Sequence, residues 1–366
     1  MKEAEGRFVG IDLAKRSYVA RLEPKGAGKA TILEGRTDEK GIRKLCSALG
    51  REDRVAIECC ALGFWLAREL IAKVGCDVLV LNAGQLAIIY KSTKKTDLND
   101  AQKLAWILKR LPREELPVVP LPSAEEEERR AMVSELHSKK GLRTELVNRL
   151  HSLFVRVGQT GMARKDLVTA ESRRRSIQGL EGRTAVEARR ILEEIEVLER
   201  HIADIEIEVA EALVGDRKAE LLLAIPGVGP ATAIAFLAHV GDGERFANAH
   251  QVSNYVGMTP RVYASGETTH IGRISKRGCV AIRSVIVQSA WAAVHTKRSN
   301  VFKTKYEELV VRLGKKRAIV AIARRMLEIM WIVVSRDEMF RGYDELQQRL
   351  KLRLIEKKAK KTQSAA

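Results

Sequence analysis

The apolar positions of residues 1–112 follow two periods in turn. Short runs of β-type residues predict strands, and stretches with apolar residues three and four apart predict helices between them. The predicted strands are residues 8–11, 18–22, 54–60 and 77–83, and the clearest predicted helices are residues 64–75 and 96–111. A strand hairpin followed by alternating helices and strands predicts an α/β domain over residues 1–112.

The pattern becomes helical after a proline-rich segment. Residues 112–122 hold four of the chain's eight prolines, which predicts a linker or an extended strap. Residues 123–156 favour helix, and residues 185–214 carry apolar residues at the spacings of a coiled coil. That stripe can serve a dimer or one arm of a helical hairpin within the chain. We therefore expect residues 113–218 to form a linker and a coiled-coil region.

The rest of the chain predicts a helical C-terminal domain over residues 219–340 and a disordered, lysine-rich tail over residues 341–366. Within residues 224–241 (AIPGVGPATAIAFLAHVG) a helix stops, PGVG turns and a second helix begins, which resembles a helix-hairpin-helix. Gly227 and Gly229 would let the backbone approach a phosphate at the start of the second helix. The alternative is an ordinary turn between two helices.

Charge indicates the class of partner. The 366-residue chain has a net charge of +18, and residues 261–325 contain 15 Lys or Arg against three acidic residues. Clustered basicity predicts a polyanionic partner, most often nucleic acid. Aromatic residues make up only 5% of the chain, which argues against a protein that binds single strands by stacking.

The remaining composition argues against a membrane or secreted protein. No apolar run is long enough to span a bilayer, and the N-terminus lacks the apolar core of a signal peptide. The five cysteines have no zinc-like spacing, which is typical of a reduced, cytosolic protein.

Four carboxylates form the first candidate site. Asp12 and Glu58 each stand at the end of a predicted strand, while Asp97 and Asp100 share one face of the first turn of a predicted helix. Grouped carboxylates repel one another unless cations are bound, and Mg²⁺ prefers carboxylate oxygens. A pair of such ions can activate a nucleophile and stabilise the leaving oxygen in phosphoryl transfer. Taken singly, each acid also fits a turn former, a helix cap or a solvated surface charge.

Two lysines precede the last two acids. Lys94 and Lys95 come directly before the predicted helix, and they would suit a phosphate backbone that enters the site.

Residues 257–279 form the second candidate site. We predict a loop crowded with hydroxyl groups and cations, and a serine in a basic loop can attack a phosphodiester once it is deprotonated. The residues alone leave Ser265, Ser275 and Tyr263 open as the nucleophile. The cations of this segment are Arg261, Arg273, Lys276 and Arg277.

These segments carry a family resemblance when they are taken in order. VGIDLAK, AIE, KTDLNDA, IPGVGPATA and GMTPRVYASGETTHIGRISKRG resemble the Piv/MooV-type DEDD transposases, bridge-RNA-guided recombinases of insertion sequences. The resemblance implies an α/β plus all-α protein with an N-terminal RNase H-like (RuvC-like) domain. It implies that Asp12, Glu58, Asp97 and Asp100 hold Mg²⁺, and that Ser265 forms a covalent 5′-phosphoserine link to DNA.

The resemblance also implies partners. Target and donor DNA would be paired by a structured guide RNA, as in other RNA-guided systems. Subunits would assemble as dimers and tetramers around a composite site, in the cytoplasm of a prokaryote and on its nucleoid. The sequence departs from the family where Cys59 and Cys60 follow Glu58, because a small-Thr-Gly-x-Tyr run is common there.

Two other functions fit the same residues. A RuvC-like nuclease would cleave DNA with water and would need no serine. A catalytically inactive nucleic-acid-binding scaffold would tolerate replacement of the acids, although the complete acid set and the intact YASG segment argue against it.

Overall fold

A computed structural model describes residues 6–82, 84, 97–265 and 268–363, except for the side chains of residues 97, 262–265, 268–269, 271 and 361–363. The chain divides into two compact units, Met1–Pro122 and Ser123–Ala366, here called the N-terminal unit and the C-terminal unit. In the described residues, no helix is both long enough and apolar enough to span a membrane.

The N-terminal unit is an α/β domain, as the sequence predicted. Its elements are β1 (Arg7–Leu13), β2 (Ser17–Pro24), β3 (Thr31–Arg36), α1 (Glu39–Ala48), β4 (Arg54–Glu58), α2 (Ala61–Lys73), β5 (Asp77–Leu81) and α3 (Asp97–Arg110). They build a mixed sheet of order β3-β2-β1-β4-β5, in which β1 pairs antiparallel with β2 and parallel with β4.

Apolar side chains cover both faces of this sheet. Val9, Ile11 and Ile57 belong to one core with residues of α1 and α2. Ala56 belongs to a second core, which includes Leu104 of α3. Because successive strand residues point to opposite faces, the continuous apolar runs of β1 and β4 follow from this double coverage.

The proline-rich segment is an extended strap along β5. Asn82 N donates to Pro117 O at 2.9 Å, and Val119 N donates to Val80 O at 2.7 Å. The strap pairs with the outer edge of the sheet, and its Leu116 is buried in the second core. For this reason the N-terminal unit ends at Pro122 and not at residue 112.

The C-terminal unit is helical apart from one β-hairpin. Its elements are α4 (Ala124–Arg156), α5 (Ala170–Ile177), α6 (Gly182–Leu213), α7 (Arg217–Leu223), α8 (Pro230–His239), α9 (Ala249–Val256), β6 (Pro260–Ser265), β7 (Thr268–Ile274), α10 (Val280–His295), α11 (Val301–Leu313), α12 (Lys315–Ser335) and α13 (Glu345–Gln363). One core joins residues from α4, α6, α8, α10 and α12, so the expected boundary at residue 218 is absent from this unit.

The apolar stripe of residues 185–214 packs against other helices of the same chain. Ile191, Ile195, Ile205 and Val209 are buried, and α6 packs against α4 as one arm of a helical hairpin. These side chains are therefore not available as the seam of a dimer, and that interpretation of the coiled-coil pattern is wrong.

The C-terminal tail is helical and docked. Gln348 Nε2 donates to Glu220 O at 2.9 Å, Lys351 Nζ donates to Leu223 O at 2.8 Å, and Ile355 is 3% exposed. The prediction of a disordered tail is wrong for α13, because the lysines that suggested disorder lie mainly on its exposed side.

Candidate active-site residues

The register of two parallel strands places Asp12 beside Glu58. Ile11 of β1 pairs with Ile57 of β4, so the acids that follow them stand at matching positions on neighbouring strands. Neighbouring strands lie about 4.8 Å apart. Asp12 shares its strand face with Gly10, and Glu58 shares its face with Ala56, because side chains on one face recur every second residue. Both acids therefore face the side of the sheet that α3 covers.

Gly10 allows α3 to lie directly on β1. A Cβ atom at Gly10 would stand 2.1 Å from Ala101 O and 2.4 Å from Ala105 N. No side chain larger than hydrogen fits between this strand and this helix. The contact lies one helical turn from Asp97 and two strand residues from Asp12.

Two contacts define the direction of α3 over the sheet. Lys109 Nζ, near the end of the helix, donates to Pro24 O at 3.3 Å, and Pro24 pairs with the first residue of β1. Leu98, in the first turn, lines a cleft with Val19, which pairs with Asp12. The helix therefore runs antiparallel to β1. Its first turn, which carries the remaining two acids, lies at the same edge of the sheet as Asp12.

The carboxylates of this edge differ in their surroundings. Asp12 is half-buried and Glu58 is exposed. Asp100 is 25% exposed and forms an ion pair with Lys103 at 2.7 Å. The side chain of Asp97 lies outside the described residues. Among the side chains that are described, no three His, Cys, Asp or Glu form a group that could hold a metal ion.

By backbone position and by donor chemistry the four acids together would suit a hard cation, with Asp97 completing a set that the described side chains alone do not form. Asp12 and Glu58 stand side by side, and the first turn of α3 adds the backbone positions of Asp97 and Asp100 at the same edge. Carboxylate oxygens at one sheet edge are the ligands that Mg²⁺ prefers.

The two cysteines after Glu58 leave the start of α2 intact. Cys60 is the N-cap of α2, and its Sγ accepts a hydrogen bond from Gly63 N at 3.2 Å. Serine or threonine usually fills this role. A Cβ at Gly63 would stand 2.6 Å from Glu58 O, so this glycine allows the helix to begin close behind the acid.

Two basic residues follow Asp12 closely in the sequence. The tight turn after β1 exposes Lys15 and Arg16, three and four residues beyond Asp12. Neither residue is among the sequence-based candidates, although a basic pair directly after a strand-end acid is a usable signal. Lys94 and Lys95 lie outside the described residues.

The second candidate site is a β-hairpin and not the predicted loop. Ser265 is the last residue of β6 and pairs with Thr268 of β7, far from the base where Pro260 pairs with Ile274. The side chains of Ser265 and Tyr263 lie outside the described residues. Ser275 Oγ is buried and has no hydrogen-bond partner in the described part of the chain, which makes it inaccessible to DNA.

The four cations of the hairpin are all exposed. Arg261 is exposed and donates to Ser275 O at 3.2 Å. Arg273, Lys276 and Arg277 are exposed. The pairing register shifts between Pro260 and Val262, as at a β-bulge or a similar irregularity, and bulges often lie next to active sites.

The glycines of the turn between α7 and α8 have separate environments. Gly227 has a φ of +83°, and a Cβ there would stand 2.2 Å from Ser289 O of α10. Its need for glycine is therefore explained by contact with a helix. A Cβ at Gly229 would meet no atom within 4 Å, so this backbone is open to a ligand.

The mixed five-stranded sheet, with acids where β1, β4 and α3 meet, is consistent with an RNase H-like DEDD domain in an enzyme that processes nucleic acid. Residues 9–158 match the DEDD transposase model of the IS110 group, described as "Transposase". Residues 219–307 match the model described as "Transposase IS116/IS110/IS902 family". The chain therefore belongs to the IS110/IS116 family of transposases and is an enzyme that cleaves and joins DNA.

Individual relatives agree with this assignment. A probable family 20 transposase of Pseudomonas aeruginosa is 28% identical over 78% of this chain and 85% of its own length. The transposase for insertion sequence element IS1111A of Coxiella burnetii is 29% identical over 69% of this chain and 70% of its own length. The pilin gene-inverting protein of Moraxella bovis is 32% identical over 32% of this chain and 36% of its own length.

Proposed function

We propose that this transposase cuts and rejoins DNA through two groups of residues. Asp12, Glu58, Asp97 and Asp100 would hold Mg²⁺ at the scissile phosphate, and Ser265 would be the nucleophile. The observation that carries the proposal is the convergence of β1, β4 and the start of α3 at one sheet edge. Bound Mg²⁺ would supply positive charge against the phosphate oxygens and lower the pKa of the attacking group.

The proposed exchange conserves the number of phosphodiester bonds. Ser265 Oγ loses its proton and bonds to phosphorus, the bond from phosphorus to the 3′ oxygen breaks, and that oxygen takes up a proton. The DNA then carries a 5′-phosphoserine link. In the second step a 3′ hydroxyl of another strand bonds to the phosphorus, and Ser265 leaves with a proton. Each step exchanges one ester bond for another, so no external energy source is needed.

The surroundings of the two serines favour Ser265. Ser275 Oγ is buried, whereas Ser265 lies at the end of β6 remote from the base. A nucleophile that attacks a DNA backbone must be accessible to it, and the cations Arg261, Arg273, Lys276 and Arg277 would neutralise nearby phosphates.

The proposed partners follow from charge and from the family. Lys15, Arg16 and the open backbone at Gly229 would contact nucleic-acid backbones, with Lys94 and Lys95 in the same role. A structured guide RNA would select target and donor DNA by base pairing. Subunits would form dimers and tetramers in the cytoplasm of the host cell, through surfaces other than the buried stripe of α6.

A second candidate function is hydrolysis by the N-terminal unit alone. The four acid positions all lie within that unit, so a RuvC-like nuclease that activates water would need no residue of the hairpin. A catalytically inactive scaffold is less well supported, because Cys60 preserves the helix cap behind Glu58.

A suicide-substrate assay separates these functions. Full-length protein, Mg²⁺, RNA transcribed from the flank of the gene, and nicked donor and target DNA are combined, and covalent protein–DNA adducts are scored on denaturing gels. We expect an adduct with the wild type, none with Ser265→Ala, and none with Asp12→Asn. Adduct formation by Ser275→Ala serves as the matched control. Cleavage without adduct that survives Ser265→Ala would instead establish the hydrolytic nuclease.

A further inference from the structure

The base of the serine hairpin is a close crossing of two backbone segments. Gly257, which ends α9, has a φ of +78°, and a Cβ there would stand 1.9 Å from Arg277 O. Gly278, which precedes α10, has a φ of +84°, and a Cβ there would stand 2.3 Å from Tyr255 O. Each segment therefore carries a glycine where the other approaches. The chain enters and leaves the hairpin through this contact.

One side chain ties both segments together. Arg283, in the first turn of α10, donates from Nη1 to Val256 O at 3.0 Å on the entering segment. The same group reaches Arg277 O at 3.0 Å and Gly278 O at 2.9 Å on the leaving segment. This three-carbonyl contact is here called the Arg283 clamp. We propose that Arg283 is a positioning residue for the reaction, because the clamp sets the direction in which the hairpin presents Ser265.

The clamp is continuous with the strands above it. Lys276 N donates to Gly257 O at 3.0 Å, and Ser275 N donates to Thr259 O at 2.8 Å. These bonds extend the pairing of Pro260 with Ile274 down to the crossing. A tilt at the crossing is therefore carried into the whole hairpin.

Because the hairpin is long, a small tilt at its base moves Ser265 far enough to affect the reaction. Pro260 and Ser265 stand five residues apart along β6, which at about 3.3 Å per residue is roughly 16 Å. A tilt of about 5° at the base therefore moves Ser265 by more than about 1 Å, and a displacement of about 1 Å can cost roughly 100-fold in rate. A two-stranded hairpin is also only marginally stable by itself. Its direction must be fixed where it joins the helices.

Arg283 differs in role from the exposed cations of the hairpin. It is half-buried, and Nη1 is committed to backbone carbonyls. We assign it no phosphate contact, so its loss should leave DNA affinity nearly unchanged. The inference rests on the proposed function of Ser265.

The experiment compares Arg283→Met with Arg130→Met in full-length protein. Arg130 is a matched control, because its Nε also donates to a backbone carbonyl, Ala238 O at 2.7 Å, near the end of α8, which is not part of the hairpin. Adduct formation on the suicide substrate, DNA affinity and amide exchange at Ser275 and Lys276 are measured below the melting temperature of each variant. We expect Arg283→Met to slow adduct formation at least about 100-fold. DNA affinity should change less than about threefold, exchange at the two amides should be faster, and Arg283→Lys should restore part of the rate.

The experiment distinguishes failure of the clamp role from failure of the proposed serine chemistry. Arg130→Met should lower the melting temperature and leave the adduct rate and both amides unchanged. The clamp role is overturned if both variants affect adduct formation equally, or if Arg283→Met weakens DNA binding as much as it slows the reaction. If the wild type forms no adduct at all, the proposed serine chemistry fails. Amide exchange then still tests whether Arg283 holds the hairpin base.

Discussion

The two groups of proposed catalytic residues stand on very different supports. Asp12 and Glu58 lie on adjacent central strands whose apolar residues are buried on both faces of the sheet. Ser265 lies near the end of a two-stranded hairpin whose tie to the helices is the crossing of Gly257 and Gly278. The acids are positioned by a buried core. The serine is positioned by the crossing at the hairpin base, here called the joint.

The positions of the acids and of the serine are fixed in different ways. Moving Asp12 relative to Glu58 would require a change of strand register, which would turn every side chain of the strand to the opposite face. Moving Ser265 would require only a tilt at the hairpin base. Substitutions near the acids should therefore act on folding, whereas loss of the Arg283 clamp at the joint should act on the reaction more than on stability.

The largest expected effect is the loss of the N-terminal unit by Gly10→Val. The new side chain would enter the backbone of α3 at Ala101 and Ala105, and the helix would have to leave the sheet. We expect the unit to lose more than about 4 kcal/mol of unfolding free energy. Chemical denaturation followed by circular dichroism measures this loss.

Gly141→Ala is the matched control for that substitution. Gly141 lies within the long helix α4, and a Cβ there would meet no atom within 4 Å. Alanine should stabilise the C-terminal unit by about 0.5–1 kcal/mol. A Gly10→Val protein as stable as the wild type would contradict the close packing of α3 on β1.

The next largest effect is expected from Gly257→Ala. Its Cβ would collide with Arg277 O, and its φ of +78° disfavours residues other than glycine. We expect a loss of about 2–3 kcal/mol from the C-terminal unit, with faster amide exchange at Lys276. Hydrogen exchange by mass spectrometry can follow both units in one sample. Faster exchange in the N-terminal unit as well would contradict the expectation that this substitution acts on the C-terminal unit.

Mild acid should also distinguish the units. Burial lowers the pKa of His239 from 6.5 to about 4, with the charges of Arg130 and Arg245 adding to the effect. The unfolded chain takes up this proton first, so stability conferred by the neutral ring is lost as the pH falls from 6.5 towards 4. Between pH 7 and pH 5 the C-terminal unit should lose about 2 kcal/mol.

The N-terminal unit should keep its stability between pH 7 and pH 5. Hydrogen bonds from Arg7 and Gly50 hold the pKa of Asp53 below its usual value of 3.8 despite its burial. Its contribution is therefore complete above that value and is lost only as the pH falls below it. Urea titrations of the wild type and His239→Gln at both pH values provide the test. An equal acid loss in the variant would rule out His239 as the cause.

The smallest effect should come from Cys60→Ser. A thiol is a weak acceptor, and serine would cap α2 at the same position with a stronger one. We expect the N-terminal unit to gain about 0.5–1 kcal/mol. Cys59→Ser is the neighbouring control and should bring no gain, because Cys60 alone is the cap. Thermal melting measures both, and a destabilised Cys60→Ser would contradict the capping role.

Much of the N-terminal unit could be predicted from its hydrophobic pattern. The runs around Val9, Val55 and Val78 became β1, β4 and β5, because strands buried on both faces have a continuous apolar signature. β3 was missed because its residues are exposed or only half-buried. Parallel pairing then brought Asp12 and Glu58 together, which the strand ends had suggested.

The serine hairpin could not be predicted in the same way. Its apolar residues are few and are separated by glycines and polar residues, so no period of two stands out between Pro260 and Ile274. The joint itself depends on Gly257 and Gly278, which approach each other only in the folded chain. Arg283 resembles any other arginine in the sequence until its three carbonyl partners are known.

The position of α13 has a consequence for how the protein is made. This helix is the last described element of the chain, yet Lys351 bonds to the carbonyls of Leu223 and Val228, and Ile355 belongs to the shared core. Synthesis proceeds at about 5–20 residues per second, so roughly 240 residues after Pro122 take on the order of 10–50 s. The N-terminal unit can fold on the ribosome during that interval. The C-terminal unit must wait for α13, so the proposed serine chemistry becomes available only after that helix has been synthesised.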